Sequence, residues 1–247
     1  MSSRSQPEPR SPREPAPLLW MRERERPSRP VVTVAKIVRT AIQIADAEGI
    51  DALSMRRIAT EMGSGTTSLY RHVTNKDELI DLMVEAVHGE HPLPEPGQRH
   101  WRAELADWAR QSRATMLRHP WLVQQASRRT ALGPNVIAKF DHLLGVLGRV
   151  TEDATLATMA SEALNAHVLG EVTVELADLE AQRRTGMTET EWQESMGAYV
   201  TQVVESGRYP HFNRRILESD NPDADRRFEF SLECLLAGIE AMFQRAR

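Results

Sequence analysis

No stretch of this 247-residue chain alternates apolar and polar residues at the two-residue period of a strand. From Thr33 onward the apolar residues recur at three- and four-residue intervals, the spacing of one helix face. Such a chain can only bury its apolar surface by packing helix on helix. Ile37, Ala41, Ile44 and Ala45 define a first helix, which Gly49 ends. Ser54 is placed to cap a second, short helix that turns Ile58, Ala59 and Met62 inward. Gly63-Ser64-Gly65 then breaks the chain, and a third short helix covers Thr66 to His72. Asn75 with Glu78 reads as a capping box, opening a fourth helix that buries Leu79, Leu82, Met83 and Val87.

His91-Pro92-Leu93-Pro94-Glu95-Pro96-Gly97 is a proline-rich linker and marks a domain boundary. Beyond Gln98 the pattern predicts helices near 99–118, 120–130, 135–149, 152–183, 188–206 and 223–245. Pro120, Gly133-Pro134, Gly186, Gly207 to Pro210 and Asn221-Pro222 separate them. The expected fold class is all-α. A three-helix helix-turn-helix domain at 33–90 precedes an antiparallel helical bundle at 98–247. Residues 1–32 carry prolines at 7, 9, 12, 15, 17, 27 and 30, which exclude a helix or central strand and predict a disordered arm. Leu18, Leu19, Trp20 and Met21 form a short apolar knot within it.

Composition narrows the function classes. No apolar run reaches the ~18 residues of a membrane helix. The N-terminus lacks the apolar core of a signal peptide, so the cytoplasm is the expected compartment and no membrane partner is expected. Cys234 is the single cysteine, which excludes an intrachain disulfide and a Cys-based zinc site. Net charge is −4, yet residues 1–32 hold seven Arg against four Glu. Residues 54–76 hold Arg56, Arg57, Arg71 and Lys76 against Glu61 alone. An acidic body with a basic end suits a protein that meets a polyanion at one end. The chain shows no phosphate-binding glycine loop, no nucleophile elbow and no metal-ligand spacing, so neither an enzyme nor a cofactor or metal site is expected. His167 and Glu171, four apart on one helix, read as an intrahelical pair.

Two short helices joined by a glycine turn have the layout of a helix-turn-helix. The second must be short, polar outward and presented end-on to a major groove. Thr66, Thr67 and Ser68 stand at its N-terminal end, where small hydroxyls approach base edges and phosphates. Leu69 and Val73 face back into a small core, leaving Tyr70, His72 and Lys76 to reach phosphate oxygens.

The order of residues is more specific than the layout. Ala45-Asp46-Ala47-Glu48-Gly49, Leu53-Ser54-Met55-Arg56-Arg57-Ile58-Ala59, Gly63, Ser68-Leu69-Tyr70-Arg71-His72-Val73 and Lys76-Asp77-Glu78-Leu79-Ile80 follow one another as in TetR-family regulators. The stretch from Val34 to Val87 closely resembles the DNA-binding domain of that family. Ser64 departs from the pattern, where family members usually carry an apolar residue. The resemblance implies that Arg56 meets a base or phosphate and that Met55 lies at the groove wall. It implies base and phosphate contacts for Thr66, Thr67 and Ser68, and phosphate contacts for Tyr70, His72, Lys76 and the solvent-facing Arg71. For Tyr70 the alternative is packing beside Leu69; for His72 it is a helix cap.

The body, through Trp101 to Pro120 and Ala166-His167-Val168-Leu169-Gly170, resembles the ligand-binding domain of the tetracycline-repressor branch. That likeness implies a homodimer on a palindromic operator of double-stranded DNA, released by a small hydrophobic effector of antibiotic or polyketide type. Phe228, Leu232, Leu235, Ile239 and Met242 follow the 4-3-4-3 spacing of a coiled-coil seam and are the expected dimer interface. The expected ligand pocket is lined by Trp108, Ser112, Met116, Trp121, Leu122, Gln125, Leu143, Met159, Asn165 and His167, any of which is equally placed as ordinary core. No histidine falls between His119 and His142, which argues against a metal-chelate effector. The alternative keeps the DNA-binding domain and makes the body a protein-assembly surface without a small ligand.

Overall fold

The computed structural model describes residues 32–94, 97, 99–126 and 132–246, and the regular structure among them is helical throughout. The arm expected at 1–32 falls almost wholly outside the described residues.

The N-terminal domain is α1 (Val34–Glu48), a 3-10 turn (Ile50–Ala52), α2 (Met55–Glu61), α3 (Thr66–Tyr70) and α4 (Lys76–His88). Each long start has a side-chain cap. Thr33 Oγ1 accepts from the Lys36 amide at 3.2 Å, and Ser54 Oγ from that of Arg57 at 3.1 Å. Asn75 Oδ1 accepts from the Glu78 amide at 2.8 Å, but the Glu78 carboxylate reaches back to Thr74 N at 2.6 Å, one residue before the expected box partner. Ile37, Ile58, Leu69, Leu79, Met83 and Val87 are sealed from solvent in the domain core. Gly63 turns the chain between α2 and α3 with φ 61°, which a β-carbon disfavours.

The body comprises α5 (Trp101–Arg118), α6 (Trp121–Gln125), α7 (Pro134–Gly148), α8 (Ala154–Thr185), α9 (Glu189–Ser195), α10 (Gly197–Glu205), α11 (Pro210–Glu218) and α12 (Ala224–Arg245). Leu105, Leu143, Leu147, Leu164, Val168, Phe228 and Leu232 form its core. The single helix expected at 188–206 is two, broken at Met196. Pro210 opens α11 instead of ending a turn, because a proline at the first helical position forfeits no hydrogen bond. α10 and α11 bury no residue, and Tyr199 and Phe212 lie exposed on them. No helix among the described residues is long and apolar enough to cross a membrane.

α4 joins the two domains along its last turn. The N-cap of α7, Gly133, has no side chain to offer its first-turn amides. Glu85 of α4 supplies one: its carboxylate accepts from Asn135 N at 2.6 Å and Val136 N at 3.3 Å. Asn135 Nδ2 returns a bond to the Glu85 carbonyl at 3.1 Å. A β-carbon on Gly133 would meet the Glu85 carboxylate, so a side chain there would push Glu85 aside from the amides it caps.

His88 ends α4 with its Nδ1 buried and unpartnered. Burial, helped by the Lys139 charge, pushes its pKa down to about 4 from the ordinary 6.5. The folded protein therefore holds His88 neutral where the unfolded chain protonates it. Stability is fully present above pH 6.5 and is lost as pH falls toward 4. Acidification from pH 7 to pH 5 should cost about 1–2 kcal/mol, read by urea denaturation, and His88→Gln should flatten that slope.

Candidate nucleic-acid interface and effector cavity

α3 is held from behind. Leu69 and Val73 are buried at 0% and 1% exposure, which fixes the opposite face of the helix outward. Thr67, Arg71, His72, Arg56 and Lys76 are exposed, and Thr66 and Ser68 are half-buried. Tyr70 is 54% exposed, so its ring stands in solvent and not against Leu69. Met55 differs from expectation. It is 8% exposed and belongs to the domain core, so it supports α2 from inside and does not line a groove wall.

The two arginines of α2 divide their work. Arg57 bonds Glu48 at 2.6 Å and Glu61 at 2.7 Å, clamping α2 to the end of α1. Its guanidinium holds the Glu48 carboxyl below the usual carboxylate range. Arg56, one residue earlier, points to the exposed side. Lys76 donates one of its three ammonium hydrogens to the Ile50 carbonyl at 3.2 Å, tying the start of α4 to the turn after α1. Ser64 Oγ is buried without a partner, so the departure noted at this position carries an unmet polar group.

A cavity of about 400 Å³ opens between the linker, α5 and α7. Pro92, Leu93, Pro94, Arg99, Glu104, Asp107, Trp108, Gln111 and His142 line it. Trp108 is the one expected pocket residue in that lining. Its indole Nε1 is buried and unpartnered. Burial would raise the Glu104 carboxyl, but hydrogen bonds from the Arg99 amide and the Arg149 guanidinium outweigh it and hold Glu104 ionised.

The other expected pocket residues lie elsewhere. Trp121 and Leu122 are 2% and 7% exposed in the core of the N-terminal domain, and Met116 packs against both cores. Gln125 is buried on α6. Leu143 is 1% exposed in the body core. Ser112, on α5, is half-buried and outside the cavity lining. Met159 is 59% exposed on α8, and Asn165 faces outward with Nδ2 bonded to the Ser161 carbonyl at 3.1 Å. His167 stacks on Phe228 with ring centroids 5.8 Å apart. Glu171 accepts from Ser231 Oγ at 2.9 Å, so it serves the α8–α12 contact and not a pair with His167. The helical pattern found the inward face for Trp121, Leu122, Gln125 and Leu143 without telling which core they serve, and it missed that Met159 and Asn165 face outward.

The α12 seam also differs. Phe228, Leu232 and Ile239 are buried in the chain's own body core and Leu235 packs partly against it. Only Met242 of the expected set is exposed, at 54%. The heptad spacing therefore records intramolecular packing.

Between the two domains lies a cluster the sequence did not flag. Asp46 Oδ1, on the last turn of α1, accepts from the Trp121 indole at 2.8 Å and from His119 Nδ1 at 2.8 Å. His119 is 4% exposed, and its Nε2 faces Glu90 Oε2 at 3.4 Å. Arg118 adds an ion pair to Glu90 at 3.3 Å. The corner between α5 and α6 is thereby sunk into the DNA-facing domain.

The fold and its outward α3 define a helix-turn-helix regulator. Residues 37–83 match the model for "Bacterial regulatory proteins, tetR family", and residues 93–243 match "Tetracyclin repressor-like, C-terminal domain". The chain belongs to the TetR family, and it is a DNA-binding transcription regulator, not an enzyme. It is 38% identical over 236 residues to the HTH-type transcriptional repressor DrrR1 of Streptomyces coeruleorubidus, covering 93% of this chain and 86% of that one. Among solved structures, ActR of Streptomyces coelicolor in complex with (S)-DNPA superposes with a TM-score of 0.72 at 32% identity, over 86% of this chain and 99% of that one. ActR in complex with actinorhodin gives 0.69 at 33% identity, over 86% and 98%.

Asp46→Ala should leave two buried donors without an acceptor and cost about 2–3 kcal/mol in urea denaturation. Asp46→Asn keeps one oxygen and should recover part of that loss.

Proposed function

We propose that the chain is a homodimeric repressor that binds a palindromic operator and releases it when a small hydrophobic effector enters the body. The observation that carries this reading is the linker. Pro92, Leu93 and Pro94 leave the end of α4 and form a wall of the cavity, so whatever fills the cavity touches the segment that carries the DNA-facing domain. The cavity volume of about 400 Å³ falls in the range of small-molecule sites. The ActR complexes and the repressor DrrR1 support the same reading. In it, Arg56, Thr66, Thr67 and Ser68 meet base edges and phosphates, and Tyr70, Arg71, His72 and Lys76 meet phosphates.

Exposed Trp192, Tyr199 and Phe212 on α9, α10 and α11 favour a second reading, in which the body also assembles with another protein.

The homodimer rests on the outer faces of α8 and α12. Met159, Ala163, Ala166, Gly170, Val174 and Ala177 are exposed at helical spacing on α8. Phe230, Cys234, Ala237, Gly238, Ala241 and Met242 do the same on α12. Small residues let two such pairs of helices approach closely as a four-helix interface. A two-fold pair would set its α3 helices about 34–36 Å apart, one turn of DNA between half-sites.

A gel shift with the DNA upstream of the chain's own gene should give a salt-sensitive complex, and absence of any shift at low salt overturns the reading. Tyr70→Phe and Lys76→Ala should weaken binding across sequences, with the salt slope reduced by about 1 for Lys76, whereas Thr67→Ala and Arg56→Ala should also change base preference.

Ala166→Glu should give a monomer in sedimentation equilibrium and lower operator affinity by about a hundredfold or more, because each half-site then binds alone.

A further inference from the structure

The chain carries 28 arginines and three lysines, Lys36, Lys76 and Lys139. Lys139 is the only lysine of the body. The two cations differ in chemistry. A guanidinium stays protonated in a protein, whereas a lysine amine gives up its proton when burial makes the charge costly, and the free amine is a nucleophile. Arg102, Arg110, Arg113 and Arg149 of the body are each held by a carboxylate. Lys139 makes no hydrogen bond or ion pair among the described residues.

Its place in the fold is the joint between the two domains. Lys139 stands on α7 one turn beyond Val136, which packs against the core of the N-terminal domain. Glu85 of α4 caps the amides of Asn135 and Val136 on the same end of the helix. Lys139 is half-buried there, so it is both desolvated and reachable. The end of α4 brings Glu85, His88 and Glu90 to this side. Glu85 is engaged by the α7 amides, and Glu90 by Arg118 and by His119 Nε2. On α7 itself Asp141 and His142 follow in sequence. Burial drives the Lys139 amine below the ordinary lysine range, and the opposing charge of Glu90 does not cancel that shift. Lys36, by contrast, is exposed on α1, and exposed Lys76 donates to the Ile50 carbonyl.

We propose that Lys139 is an acylation site whose amine takes the acyl group of a small acyl phosphate. The amine nitrogen bonds to the carbonyl carbon, and the bond from that carbon to the phosphate oxygen breaks. Phosphate leaves with the electron pair and takes up the proton that the nitrogen sheds. The product is a neutral amide, so the joint between α4 and α7 loses a cation and gains the bulk of the acyl group. A small donor is required because the amine sits half-covered between two helices.

The test uses the full chain with acetyl phosphate as the probe. Samples are taken over time at several pH values, and the three lysines are followed by peptide mass spectrometry, with Lys36 and Lys76 as internal references. At about pH 7 Lys139 should be acetylated at least about threefold faster than Lys36, because each unit by which an amine's pKa falls makes its free form about tenfold more abundant below that pKa. Its rate should also level off at a lower pH than that of Lys36. A second readout locates the amine. The Lys139 charge helps hold His88 neutral, so acetylation, or Lys139→Gln, should move the His88 ring titration up toward the ordinary 6.5. His88→Gln identifies that ring signal by its loss. Acetylation of Lys139 no faster than that of Lys36, or with the same pH profile, overturns the proposal. So does a His88 titration that ignores the loss of the Lys139 charge. The rate comparison is made on the wild type and needs no variant.

Discussion

One carboxylate oxygen holds the two halves of this molecule in register. Asp46 Oδ1 accepts from both the Trp121 indole and His119, and both donors belong to the body while Asp46 belongs to α1. Asp46 itself reaches solvent, but Trp121 and His119 are buried, and a buried donor left unpaired is costly, so the shared oxygen fixes where each donor must stand. Trp121 and Leu122 then lie inside the core of the DNA-facing domain. The two cores are therefore neighbours that share a corner, not beads on a string, and rotation of one against the other must turn about that corner.

Around this fixed point the remaining contacts sort by direction. Arg57 locks α2 to α1, Lys76 ties α4 to the turn between them, and Leu69 and Val73 seat α3. These orient the surface offered to DNA. At the opposite end of α4, Glu85 reaches α7, and the chain beyond runs past the cavity. α4 is a single helix of 13 residues, roughly 20 Å long at the ordinary helical rise, that touches both systems.

Much of this was legible from residue order. The helical period gave the fold class, Gly63 the turn, and Ser54 and Asn75 the caps, because each depends on local backbone geometry. What periodicity does not carry is the identity of the neighbour. Phe228, Leu232 and Ile239 lie inward as their spacing requires, but toward their own bundle, where a heptad reading places a partner chain. Trp121 is as apolar and buried as any pocket residue, yet it serves another domain. Met55 sits between polar neighbours and is nonetheless core. The Asp46 contact had one legible trace. An acid in the last turn of a helix faces the negative end of its dipole, and such a placement calls for a donor from outside the helix. Pro210 misled for the opposite reason: the same residue that ends helices also starts them.

The cap on α7 bears on how this family can be recombined. The proline-rich linker invites a cut there, with a DNA-reading half taken from one relative and an effector-sensing half from another. In this chain that cut separates Glu85 from the amides of Asn135 and Val136, and leaves at Gly133 an N-cap with no side chain to take the place of that carboxylate. The exchangeable unit is therefore not the segment before the prolines. It ends at the linker only if the incoming α4 brings an acid of the same reach, and a hybrid assembled without it inherits a frayed helix at the joint where its two halves have to communicate.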